Sequence, residues 1–143
     1  MTKHTTLKKG KSYTDITHID GDVNIHPGVS VPNLKTVDGD AYIHEGADVP
    51  NLVSVKGNID ISKGAYAPKL EYIGGRATIY KGAGVPKLKS VDGDLLIHEY
   101  TPKLETVGGD AYIGKYAKIP KLKSVGGDVH ICKGAYAPKL KFN

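Results

Sequence analysis

Apart from nine Tyr, large aromatic and sulfur-bearing side chains are nearly missing from this 143-residue chain, which has no Trp and only one Phe, one Met and one Cys. A core built around big aromatic anchors is therefore excluded. The single Cys132 excludes an internal disulfide framework and fits a reducing compartment. No apolar run approaches the ~20 residues that span a bilayer, so no membrane partner is expected. The opening MTKHTTLKKGKSY is basic but lacks the apolar stretch of a secretory signal, and the expected address is the cytoplasm. Arginine is equally scarce. Arg76 is the only one among 20 basic residues, which argues against a surface built for bidentate phosphate or base recognition. At 15.3 kDa the chain has room for one domain.

Gly and Pro are plentiful instead, 18 and 8 of them, and they are not scattered. Gly recurs at 21, 39, 57, 75, 93, 109 and 127, and Pro at 32, 50, 68, 86, 102, 120 and 138. Ile recurs at 25, 43, 61, 79, 97, 113 and 131, and Leu at 34, 52, 70, 88, 104, 122 and 140. Each series has a single interval of 16 among intervals of 18. Val or Ile closes the units at 37, 55, 73, 91, 107 and 125, and Leu7, Gly10, Ile16 and Ile19 mark a worn first copy. The whole chain reads as one repeat domain, with an N-terminal capping coil over 1–20 and seven coils over 21–143.

Within a coil, Asp40-Ala41-Tyr42-Ile43-His44 alternates as a half-buried strand does, with Ala41 and Ile43 inward and Tyr42 and His44 outward. Gly46 and its equivalents allow a corner. Ala47 and Val49 form a second apolar pair, Pro50 ends it, and Leu52 and Val55, three apart, suit a tight, nearly helical turn. A coil this short cannot bury its apolar side alone and must stack on copies of itself. The expected fold is all-β, a parallel β-solenoid of about eight 18-residue coils, roughly 38 Å long at ~4.8 Å per rung. Such a rod needs protected ends. Thr5, Thr6, Lys8 and Lys9 make the first copy a polar cap, and at the other end Phe142 either folds over as a plug or provides a homodimer contact through the C-terminal coil.

Two resemblances bear on the subtype. VGGDAYI at 107–113 and IPKLKSVGGDVHI at 119–131 resemble the degenerate leucine-rich-type repeats of receptor L domains and related cell-wall proteins. Short bacterial and bacteriophage proteins with P-x-L-x-x-V-x-G-[GS]-x-L-x-I units are similar. The resemblance implies that the segment after the glycine is a strand of a parallel sheet and that P-x-L-x-x-V turns the corner. The return segment here is shorter than in most such repeats, and the cysteine-rich or membrane-anchoring flanks are missing. The alternative rests on apolar residues six apart at 25, 31, 37, 43, 49 and 55, with small residues two before (Val29, Ala41, Ala47). That spacing is similar to the hexapeptide repeat of left-handed β-helices, the fold of many acyltransferases. Against it, Lys35, Glu71, Lys89, Glu105 and Lys123 stand where that repeat places a small inward residue. The handedness of the solenoid stays open at this point.

Outward residues form stripes. Asn24, Tyr42, Asp60, Thr78, Leu96, Tyr112 and His130 make one, and His26, His44, Ser62, Tyr80, His98, Gly114 and Cys132 its neighbour. Tyr42, His44, Tyr80, His98, Tyr112 and His130 are the candidate partner-binding face, because amphipathic rings dock at little entropic cost. A second candidate is the basic corner at Lys87, Lys89, Lys103, Lys121, Lys123 and Lys139, in a half (72–143) with 12 Lys or Arg against 6 Asp or Glu. Lysine on corners also protects strand edges from aggregation. Asp22, Asp40, Asn58, Asp94, Asp110 and Asp128 follow the turn glycine and are expected to accept backbone N–H bonds. His26 and His44 fall on adjacent rungs but lack further ligands, so no metal and no cofactor are expected. The 97–104 coil has lost its Gly-Ala corner, which predicts a notch beside His98 and Tyr100.

No nucleophile motif, phosphate loop or cleft-forming insertion is present, and the expectation is a non-enzyme. A hexapeptide-type acyltransferase using His44 or His98 is disfavoured, since its excursion loop is absent. The leading reading is a binding module for a macromolecule, a protein before a nucleic acid, with an inhibitor of a host-defence or nucleic-acid enzyme as one form of it. A structural or adhesive fibre-like element is the alternative.

Overall fold

The computed structural model describes residues 4–140, and over that span the chain is all β, with no helix. It coils as a parallel β-solenoid, the architecture the repeat predicts, with about seven turns of roughly 18 residues. The strand after each glycine pairs with its copy in the next coil. His4–Leu7, Asp22–Ile25, Ala41–Ile43 and their successors through Val129–Ile131 thereby build an eight-stranded sheet, here called the first side. The two-residue strands from His18–Ile19 to Ser124–Val125 build a seven-stranded second side. A third side is held only by single-residue bridges, Ser30–Asp48–Tyr66–Gly84 and then Tyr100–Lys118–Tyr136.

Register follows the repeat. Ile25, Ile43, Ile61, Ile79, Ile97, Ile113 and Ile131 stack in one column, and Val91 pairs with Val107 across the coil that lost two residues. The deletion is therefore absorbed on the third side, where the bridges stop between Gly84 and Tyr100. Inward columns of Ile, Leu, Val and Ala are buried almost completely through the middle coils, for example Ile43, Val49, Leu52 and Val55. A column needs one residue of one size, so branched aliphatics stacked in register replace large aromatics.

The corner glycines behave as expected: Gly28, Gly46, Gly64 and Gly82 hold positive φ between 73° and 90°, a region that L side chains avoid. The Leu-x-x-Val segment differs from its expected helical form. Leu52 N–H closes a turn on the Val49 carbonyl at 3.2 Å, over Pro50 and Asn51, and Val53 N–H then donates to the Lys35 carbonyl of the preceding coil at 2.8 Å. Proline presets the turn, and the ladder recaptures the chain at once, so Ser54–Val55 is a strand.

At the N-terminal end Tyr13 and Ile16 pack on the core, and the Tyr13 hydroxyl donates to the Lys8 carbonyl at 3.0 Å. In the last described coil Val129, Ile131, Ala135 and Ala137 are only half-buried. The plug or dimer contact expected of Phe142 lies outside the described residues.

Candidate functional site

The Asx column is a backbone device. Asp22 Oδ1 accepts the Asp40 N–H at 2.8 Å, Asp40 that of Asn58 at 2.8 Å, and Asn58 that of Arg76 at 2.7 Å. The chain of acceptors resumes with Asp94 to Asp110 and Asp110 to Asp128, each at 2.8 Å. Each oxygen lies where a Cβ on the next coil's glycine would stand: Asp22 over Gly39, Asp40 over Gly57, Asn58 over Gly75, Asp94 over Gly109 and Asp110 over Gly127. The G-[DN] pair is thus one requirement shared by neighbouring coils. Arg76 interrupts it, supplying no acceptor for Asp94.

On the first side the Tyr/His stripe divides into two clusters. In the N-terminal one, the His26 and His44 rings meet edge to face with centroids 6.1 Å apart, and His44 Nε2 is taken by Asn24 Oδ1. Farther along, the Tyr112 and His130 rings stack at 4.9 Å with planes 16° apart, and His98 tilts toward Tyr112 at 6.3 Å. The Tyr112 hydroxyl and Cys132 Sγ are hydrogen-bonded at 3.2 Å. Gly114 leaves the space that the His98 ring fills. Asp60, Ser62 and Thr78 separate the clusters, and Tyr80 stands between them as an exposed ring. Beside the stack lies a shallow trough of about 340 Å³, lined by Leu96, Tyr112 and His130, with Asp94, Asp110 and Asp128 along it and Arg76 at one end.

Three phenols ionise above the ordinary tyrosine range. For Tyr42 burial is the main cause, aided by the nearby carboxylates of Asp40, Asp60 and Asp22. For Tyr72 it is the hydrogen bond that its hydroxyl donates to Asp92, and for Tyr112 the bond with Cys132.

The basic corner separates into two columns of different character. Lys89 pairs with Glu71 and Lys123 with Glu105, each at 3.8 Å, so that column largely neutralises itself. In the column after proline, Asn33 and Asn51 donate to backbone carbonyls of the coil before, and Lys69 donates to Asn51 Oδ1 at 2.9 Å. Lys87, Lys103, Lys121 and Lys139 follow in consecutive coils, exposed and without an ion pair among the described residues. The spacing of 18 between Glu71 and Lys89 and between Glu105 and Lys123 already carried this pairing in the sequence.

The notch is present beside Tyr100, as expected, but His98 is not among its walls. Lys81, Glu99, Tyr100, Tyr116 and Lys118 line an open depression of about 510 Å³ where the Gly-Ala corner is missing. His98 is turned away over Gly114. The Glu99 carboxylate supplies acceptors in place of the lost backbone, one oxygen taking the Gly82 N–H at 2.8 Å and the other the Tyr100 N–H at 2.7 Å. Tyr116 occupies the corner position that is glycine elsewhere, without positive φ, and Lys81 from two coils back sits 3.9 Å over its ring. Sequence reasoning recorded the deletion and passed over Tyr116 for Gly in the following coil, the signal that would have found this site.

His18, Asp20 and Asp38 converge at the start of the second side, with His18 Nε2 at 3.1 Å from Asp20 and 3.2 Å from Asp38. They are the group among the described residues whose donor atoms lie close enough together to share a cation, and sequence reasoning had looked instead at His26 and His44. The trio is largely exposed and internally hydrogen-bonded, and His18 Nδ1 faces Thr36 Oγ1. No helix among the described residues is long and apolar enough to cross a membrane. Comparison with family models, curated proteins and solved structures finds no match to this chain.

Proposed function

We propose that this chain is a non-enzymatic binding module that docks a protein partner on the outer face of its first side. The observation that carries the reading is the stacked Tyr112–His130 pair beside Leu96 and His98, flanked by the carboxylates of Asp94, Asp110 and Asp128. Rigid rings with an apolar body and a polar edge are the residues that anchor interfaces. The flanking carboxylates favour a basic, partly apolar segment on the partner. Tyr42 and His44 lie four and more rungs away, roughly 19 Å at ~4.8 Å per rung, so they extend the face without joining this cluster.

The test is affinity capture with quantitative mass spectrometry on three immobilised proteins. Partners held by the wild type are expected to be lost from Tyr112→Ala/His130→Ala and kept by a variant with Lys87, Lys103, Lys121 and Lys139 all changed to Gln. If every captured protein tolerates the ring substitutions, this reading falls.

The unpaired Lys87-Lys103-Lys121-Lys139 column supports a second reading, an electrostatic track for an extended polyanion. Salt-sensitive retention on heparin that disappears in the four-Gln variant is its expected sign. Retention insensitive to salt and to those substitutions excludes it.

A further inference from the structure

We infer that the notch and the corner around it form a binding surface for single-stranded nucleic acid, separate from the proposed protein-docking face. The most exposed tyrosines of the chain gather here. Tyr66, Tyr100, Tyr116 and Tyr136 are 49%, 52%, 52% and 53% exposed, against 37% and 41% for Tyr42 and Tyr112. Tyr66, Tyr100 and Tyr136 stand in one column of the third side, on alternate coils, with Gly84 and Lys118 between them. Lys63, Lys81, Lys115 and Lys133 run along the adjoining corner, exposed and without an ion pair among the described residues. Glu99 is the one carboxylate in the notch, and both its oxygens are held by backbone N–H groups.

Exposed rings beside lysines that follow a line are what unstacked bases and their phosphates require. Every base has a π-face, so stacking needs no reading of base edges, and the scarcity of arginine is no obstacle. The 510 Å³ depression between Tyr100 and Tyr116 accepts one planar base, with Lys81 and Lys118 at its rim for the flanking phosphates. The ammonium groups of Lys81, at 3.9 Å, and Lys115, at 5.6 Å, rest over the Tyr116 ring, and a stacking base takes that face by displacing them toward its own phosphates. A duplex, whose bases are stacked on one another, offers nothing to these rings.

The experiment is fluorescence anisotropy with a labelled 12-nucleotide oligo-dT, its RNA counterpart and a duplex of equal length. Single strands are expected to bind more tightly than duplex, with a log–log salt slope of about −2 for three neutralised phosphates. Tyr100→Ala/Tyr116→Ala is expected to weaken binding at least ~5-fold, and Lys81→Gln/Lys118→Gln to flatten the slope by about 1.4. Should the alanine variant lose its β circular dichroism, Tyr100→Phe/Tyr116→Phe keeps the rings and is expected to bind as the wild type does. Four results each overturn the inference: no binding at low salt, duplex bound as tightly as single strand, polyglutamate bound as tightly as oligo-dT, or oligo-dT affinity that ignores both notch variants. Polyglutamate binding would point to an acidic protein at this corner instead.

Discussion

Thr101 stands in the column that Val31, Val49, Ala67, Val85 and Ile119 fill, and it is wholly buried. Its Oγ1 has no hydrogen-bond partner. A hydroxyl in that place costs desolvation and gives back nothing, while valine has the same shape. Thr101→Val is expected to stabilise the protein by ~1 kcal/mol, read as a higher urea midpoint with an unchanged slope. The raised phenols of Tyr42, Tyr72 and Tyr112 set a pH limit of the same local kind. A phenol whose folded pKa lies above its unfolded value, about 10, contributes fully below that value. Its contribution disappears as pH climbs toward the folded value. Their share of the stability is therefore expected to be constant up to about pH 10 and to fall above it, read as a drop in thermal midpoint on the alkaline side. Absorbance at alkaline pH should place these three ionisations above the value of a free phenol, about 10.

At the level of the strand and its ladder, the break at Arg76 is the informative fault. Asn58 Oδ1 still accepts the Arg76 N–H, but nothing on Arg76 serves Asp94, and only the Gly75 and Arg76 backbone lies over Gly93, where other coils place a side-chain oxygen. Arg76→Asn is expected to restore the acceptor and raise stability by about 0.5–1.5 kcal/mol, measured by denaturant unfolding against Thr78→Asn as a control on the same strand. Such columns were legible because they obey one period: Ile43 over Ile61 and Asp40 before Asn58 need only counting. The Leu52-to-Val55 segment was misjudged because a three-residue apolar spacing describes a turn and a short strand equally well. The walls of the notch were not legible, since Glu99 replacing backbone carbonyls and Lys81 reaching Tyr116 are contacts across coils of unequal length, where the period no longer predicts the neighbour. The two faces of the lysine corner differ for a simpler reason, which is whether a glutamate happens to sit 18 residues before.

Taken whole, the solenoid buries the aliphatics of its middle coils fully and those of its last described coil mostly by half. Apart from Lys81 reaching Tyr116 across the shortened coil, each coil packs on its neighbours, so stability is close to a sum of local terms and nearest-neighbour interfaces. Leu88, covered from both sides, is expected to cost ~2–5 kcal/mol when changed to Ala. The same truncation of half-buried Ile131 is expected to cost clearly less, both read by urea denaturation. Native-state hydrogen exchange should rank Val129–Ile131 among the least protected strands of the first side, behind Ile59–Ile61.

The shared Gly-Asx joint also fixes where this chain tolerates being cut and rejoined. Each acceptor looks forward to the next coil's amide, so the joint lies between periods and belongs to no single one. Excising residues 58–75, one complete period, would bring Asp40 to the Arg76 amide and Ile43 to Ile79, equivalent neighbours in every column. That shortened gene product is expected to fold with an unchanged circular dichroism shape, whereas removal of 58–66 would set apolar columns against polar ones and should not fold. Growth and loss by whole turns then become single genetic events with no interface to redesign, and the length of the rod is free to vary while its cross-section is not.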